Sequence, residues 1–118
     1  MKNTKIVYYI FTGLLSAVML AGAFGELSFS QVAVDQFVHL GYPLYMLYIL
    51  GTAKFLGVIA LWQNKFPNLR EWAYAGFFID LVGAIASHLF VGDDISQYGF
   101  AVGVLVVTII SYINFKKL

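Results

Sequence analysis

The sequence predicts an all-α protein, an integral membrane four-helix bundle with a short amphipathic helix in its first outer loop. Three observations lead there. Hydrophobic residues make up 61% of the chain and charged residues only 11%, against roughly 45–50% and about 25% in soluble domains. A chain of 118 residues is too small to hide that much apolar surface from water. The apolar residues also fall into four runs, each close to the ~20 residues that cross a ~30 Å hydrocarbon core as a helix.

The runs cover about residues 6–24, 44–62, 72–91 and 97–115 of a single membrane domain, 1–118. In lipid every backbone N–H and C=O must be satisfied within the segment, and none of the runs alternates as a barrel strand would, so all four are expected as helices. The first follows the basic start MKNTK and contains Ala21-Gly22-Ala23, which also fits a cleaved signal peptide. Its length favours a retained span. So does its spacing: Gly13, Ala17, Ala21 and Gly25 form a stripe of small residues on which another helix could pack closely.

Between the first two runs, Phe29, Val32, Ala33, Phe37 and Leu40 recur at helical spacing. Ser30 is placed to cap a helix start, and Gly41 and Pro43 to end it, which predicts a short helix over about 31–40 lying along the outer face. The other loops are short, so successive helices are antiparallel hairpins. With four crossings, Lys2, Lys5, Lys65, Arg70, Lys116 and Lys117 fall on one side, and Glu26, Asp35, Asp93 and Asp94 on the other. The positive-inside rule then puts both termini in the cytoplasm. Trp62, Phe66, Trp72 and Tyr74 on that side, and Tyr42, Tyr45 and Tyr98 on the other, are expected as interfacial anchors.

Lys54 and Asp80 are the only Lys, Arg, Asp or Glu inside the four runs. Lys54 is eight residues before Trp62 and Asp80 eight residues after Trp72, so each lies about 12 Å from the same end of its helix. Equal depth and opposite sign on adjacent antiparallel helices predict an inward-facing ion pair. Unpaired, each charge would cost roughly 2.5–3.5 kcal/mol at the bilayer centre. Gly51 and Gly57 are expected to make room for Lys54. Two roles stand for the pair: a packing lock that fixes helix register, or a proton relay or ligand anchor in a bundle cavity. The second predicts a cavity opening to the outer face, lined by Tyr42, Asp80, Ser87 and His88, with Glu26 nearby and Lys54 as its floor.

The remaining chemistry is sparse. There are no cysteines, which excludes thiolate, disulfide and Cys-ligated metal chemistry. His39, His88 and Glu26 share one surface, but no HxxxH or HxxE spacing joins them, so no metal site is assigned. No phosphate-binding glycine loop or Ser-His-Asp set is present, and a net charge of +1 offers nothing to nucleic acid.

The segments LGYPLYMLYILGTAKFLG and FPNLREWAYAGFFIDLVGAIASHLFVGD resemble the DoxX-like family of small bacterial four-helix membrane proteins. The telling elements are Leu40-Gly41-Tyr42-Pro43, Leu50-Gly51 with Lys54 and Gly57, Glu71-Trp72-Ala73-Tyr74-Ala75-Gly76, and Gly83-Ala84 with Ser87-His88. Arg70 stands where Lys is expected, and the last helix matches least. The resemblance implies a bacterial inner-membrane location and, through the subunit that gives the family its name, a role beside a quinone-linked oxidoreductase. It therefore implies a quinone near the bundle, although the residues themselves dictate no cofactor. Three functions compete. The first is an accessory or quinone-associated redox module. The second is a structural or interaction protein, associating with copies of itself, whose ion pair is a lock. The third is a small-solute or proton carrier, which lacks the internal repeats and broken helices usual in transporters. Only the lipid bilayer is a partner on composition alone.

Overall fold

The structure, a computed structural model, describes residues 2–118. Five helices follow one another: α1 (Lys2–Leu27), α2 (Gln31–Leu40), α3 (Met46–Trp62), α4 (Pro67–Phe90) and α5 (Ile95–Lys117). The four long helices form a closed ring in which α1 packs on α3 and α5, and α4 packs on the same two. Neighbours in the ring run in opposite directions. Both termini and the α3–α4 turn therefore share one end, and α2 and the α4–α5 turn share the other.

The bundle is that of a multi-pass membrane protein. α1, α4 and α5 are each long and apolar enough to span, and α3 is a shorter apolar helix of 17 residues. The longest dimension, 44 Å, exceeds a hydrocarbon core of about 30 Å. The outer surface is apolar all round: Leu14, Phe55, Ile59, Ile79, Phe90 and Phe100 point away from the bundle, with Phe90 at 90% exposure. In water such a surface would drive aggregation; lipid supplies its missing contacts. Inside, Leu15 and Met19 of α1, Val58 and Leu61 of α3, Tyr74, Phe77 and Leu81 of α4 and Val104 of α5 form one core.

Glycines mark the closest approaches. A Cβ at Gly51 would come within 2.8 Å of Leu27 Cγ and 3.3 Å of the Ala23 carbonyl, so Gly51 admits α1. A Cβ at Gly57 would meet the Phe77 ring at 2.7 Å, so Gly57 admits α4. These two make room for neighbouring helices, and the glycine beside Lys54 is Gly22, whose Cβ would lie 3.5 Å from Nζ. The expected small-residue stripe of α1 is not the packing face: Ala17 and Ala21 are exposed, while Tyr8, Thr12, Leu15, Ser16, Met19, Ala23 and Glu26 are buried.

Helix ends extend past the apolar runs because caps, not hydropathy, end a helix. Pro67 takes the first position of α4, where its missing N–H costs nothing. Gln63 holds the turn before it, accepting from Phe66 N at 2.8 Å and donating to Phe66 O at 2.7 Å. α2 starts at Ser30, whose side chain accepts from Ala33 N, and stops at Gly41 with φ of 82°, a left-handed conformation that favours glycine. Of its apolar face Phe37 is buried and Ala33 and Leu40 half-buried, but Val32 is exposed.

Candidate functional site: a charged triad and a membrane-facing groove

Lys54 lies midway along α3, and its ammonium makes its closest contact with Glu26 of α1, not with Asp80. The Lys54–Glu26 pair is hydrogen-bonded, and the expected Lys54–Asp80 ion pair is present but longer, with Nζ and Oδ2 4.0 Å apart. Helix direction explains the preference. Every Cα–Cβ bond leans toward its own helix N-terminus. The α3 N-terminus is at the α2 end, so Lys54 leans that way. α1 and α4 start at the other end, so Glu26 leans down to meet Lys54 while Asp80 leans away from it. Equal Cα depth for Lys54 and Asp80 therefore does not make equal charge height. Glu26, with only 5% of its surface exposed, is a buried member of the triad. Its Oε1 is buried without a hydrogen-bond partner.

Asp80 accepts no hydrogen bond among the described residues, and its side chain is 22% exposed. It opens into a groove of about 570 Å³ between α3 and α4. Ala53, Leu56 and Ile59 form one wall and Trp72, Gly76 and Ile79 the other, with Lys54 and Asp80 the charged groups among the lining residues. Leu56, Ile59, Trp72 and Ile79 are themselves exposed, so the groove faces the bilayer. It reaches from Gln63 and Leu69, at the end bearing the termini, to the triad. A smaller groove of about 380 Å³ lies between α4 and α5. Its carboxylate, Glu71, is already bonded to Lys116 at 2.7 Å and Tyr112 at 3.0 Å.

Tyr42, Ser87 and His88 do not line the groove that holds Lys54 and Asp80. These three residues make outer contacts of their own. Tyr42 and Ser87 are hydrogen-bonded to each other. His88, 4% exposed, donates from Nδ1 to Asp93 Oδ2 at 2.6 Å. That tautomer leaves Nε2 to accept from the Gln36 amide at 3.2 Å. His39 Nε2 reaches the same carboxylate at 2.8 and 2.9 Å. Together these bonds from His88 and His39 hold the Asp93 carboxyl below the usual carboxylate range. Asp93 thus ties α2 to the end of α4, and the two histidines meet on it rather than on Glu26. Among the described residues no cluster of three or more His, Asp or Glu has metal-holding geometry.

At the opposite end, polar side chains stitch the four long helices. Ser111 Oγ of α5 bonds Thr12 Oγ1 of α1 at 2.5 Å and Tyr74 OH of α4 at 2.7 Å. Tyr74, expected as an interfacial anchor, is buried in this network. Trp62 Nε1 donates to Ser16 at 2.8 Å. Arg70 donates to Tyr8 OH and stacks over Phe115 at 4.5 Å. Scattered Thr and Ser within apolar runs were the only sign of this network in the sequence.

A model of the DoxX-like family matches residues 10–111. No curated protein and no solved structure matches the chain.

Proposed function

The chain belongs to the DoxX-like family, and on that premise we propose that it is an accessory module of a membrane redox system that holds a quinone-type ring in the α3–α4 groove. The observation that carries this reading is a lipid-facing apolar groove whose lining includes an ammonium and an unbonded carboxyl. An isoprenoid quinone dissolves in the bilayer, carries a flat apolar ring and offers carbonyl oxygens. Lys54 has three N–H donors. One serves Glu26 and none reaches Asp80 within hydrogen-bond distance, so donors remain for a ring oxygen. Apolar walls with a few placed polar groups are the usual make-up of a ligand site. No redox-active side chain is needed, because the cofactor brings that chemistry and a partner oxidoreductase exchanges its electrons. The same reading places the protein in the bacterial cytoplasmic membrane, with its Lys- and Arg-rich end and both termini in the cytoplasm.

The competing role is a packing lock, favoured by Lys54 standing between carboxylates of two other helices. Binding of a short-chain quinone to the purified protein in lipid nanodiscs separates the two. Gly76 lines the groove, and a Cβ there would meet nothing within 4 Å, so Gly76→Phe fills the groove while leaving the core alone. The redox-module reading expects saturable binding to wild type, lost in folded Gly76→Phe and weakened in Lys54→Met. Absence of binding to folded wild type across several quinones leaves the lock.

A further inference from the structure

The triad holds two acids and one base. The base is closest to the first acid: Lys54 is hydrogen-bonded to Glu26. That contact accounts for one negative charge and leaves the second, on Asp80, without a hydrogen bond and 4.0 Å from the ammonium. Asp80 is 13 residues from Pro67 and 10 from Phe90, so about 20 Å and about 15 Å of helix separate it from the two ends of α4. It opens to the groove rather than to bulk water.

We propose that Asp80 is a proton-exchanging group that adapts the groove to both redox forms of a bound ring: as a carboxylate it accepts a hydrogen bond from a ring hydroxyl, and as a carboxylic acid it donates one to a ring carbonyl. This rests on the ring-binding reading above and adds a proton to it. The chemistry follows from the donor inventory. A carboxylate only accepts, whereas its acid form carries one O–H. A quinone presents only acceptors, so it faces an ionised Asp80 with repulsion and a protonated one with a hydrogen bond. A quinol presents O–H groups and suits the ionised form. Binding the oxidised ring to an ionised site therefore takes up one proton from solvent, and binding the reduced ring takes up none.

The charged groups facing Asp80 are few. α3 contributes Lys54, and α1 contributes Glu26 on the far side of Lys54. Toward the groove, α4 itself adds only Gly76, Phe77 and Ile79 around Asp80. The basic residue of α5 that makes an ion pair, Lys116, is engaged with Glu71, and His39 of α2 with Asp93. Of the two carboxyls beside Lys54, Asp80 is the one among the groove-lining residues.

The test is titration calorimetry of the full-length protein in nanodiscs. A short-chain benzoquinone and its quinol, the latter kept reduced anaerobically, are compared from pH 5 to 9 in buffers of different ionisation enthalpy. In wild type, quinone affinity should fall by about tenfold per pH unit above the midpoint of the free site, with up to one proton taken up per ring bound. Quinol affinity should fall below that midpoint instead. Asp80→Asn, which keeps a donor and an acceptor, should bind both forms with no pH dependence and no proton uptake. Binding of both forms that is parallel across pH in wild type, or proton uptake that survives in Asp80→Asn, overturns this inference and leaves the ring-binding reading intact. No binding of either form to folded protein overturns both.

Discussion

Glu26 is the residue that makes Lys54 tolerable in the middle of an apolar helix. Losing one partner of a buried ion pair costs about 3–5 kcal/mol, because the other is left charged and unsatisfied. Lys54→Met should therefore destabilise the bundle by an amount in that range, and Glu26→Gln should be costly as well. The double variant should recover much of the loss. Asp80→Asn should cost less than either, since Asp80 is farther from the ammonium and open to the groove. Unfolding in detergent, analysed as a double-mutant cycle, measures this; additive losses for Lys54 and Glu26 would mean that the pair contributes no coupling. The sequence disclosed that Lys54 needs an inward partner, and counting residues led to Asp80. It concealed Glu26, which lies next to the loop in sequence and looks like a surface anion. Only the opposed lean of side chains on antiparallel helices brings Glu26 and Lys54 to one height.

At the scale of elements, α2 shows what local signals can and cannot reveal. Its boundaries follow from Ser30 and Gly41, both readable as caps. Its attachment is not local: Gln36 and His39 reach His88 and Asp93, more than 50 positions away in sequence. No periodicity encodes that contact, and Asp93 passed for a loop anion. The Asp93 carboxyl is held below its ordinary value by hydrogen bonds from His88 and then His39. A group lowered in this way stabilises the folded state above its unfolded pKa of about 3.9 and loses that contribution as pH falls through its lower folded value. The Asp93 contribution to α2 docking should thus persist through mildly acidic pH and fade only below about pH 4. Asp93→Asn should loosen α2 at neutral pH as well. Amide hydrogen exchange along residues 31–40 reads this directly, as faster exchange in the variant with the rest of the bundle unchanged. Equal protection in variant and wild type would show that Phe37 packing alone docks the helix.

The whole molecule is a ring of four apolar helices with its Lys and Arg outside the triad gathered at one end. Lys2, Lys5, Lys65, Arg70, Lys116 and Lys117 lie in or near the end bearing the termini, and Asp35, Asp93 and Asp94 near the α2 end. If the positive-inside rule orients it, reporter fusions at residues 34 and 118 should report opposite compartments, with 118 cytoplasmic; the same compartment for both would break the four-crossing topology. The fold class and the helix order were legible because hydropathy and span length are set by lipid thickness. The groove was not, because it is lined by side chains of two different helices, Gly76 and Ala53 among them, and a sequence does not specify which lipid-facing surfaces remain unfilled. That is why the expected ligand space lay near Tyr42 and His88, whereas the structure puts Lys54 and Asp80 into a groove facing the bilayer.

Photolabelling locates a bound ring on the helices. An azidoquinone irradiated with the protein in nanodiscs, followed by peptide mass spectrometry, should label residues 53–60 of α3 and 72–80 of α4. Excess unlabelled quinone should block the labelling, and Gly76→Phe should abolish it. Labelling concentrated around Tyr42, Ser87 and His88, or labelling that excess quinone does not displace, would mean that the α3–α4 groove is not the ring site.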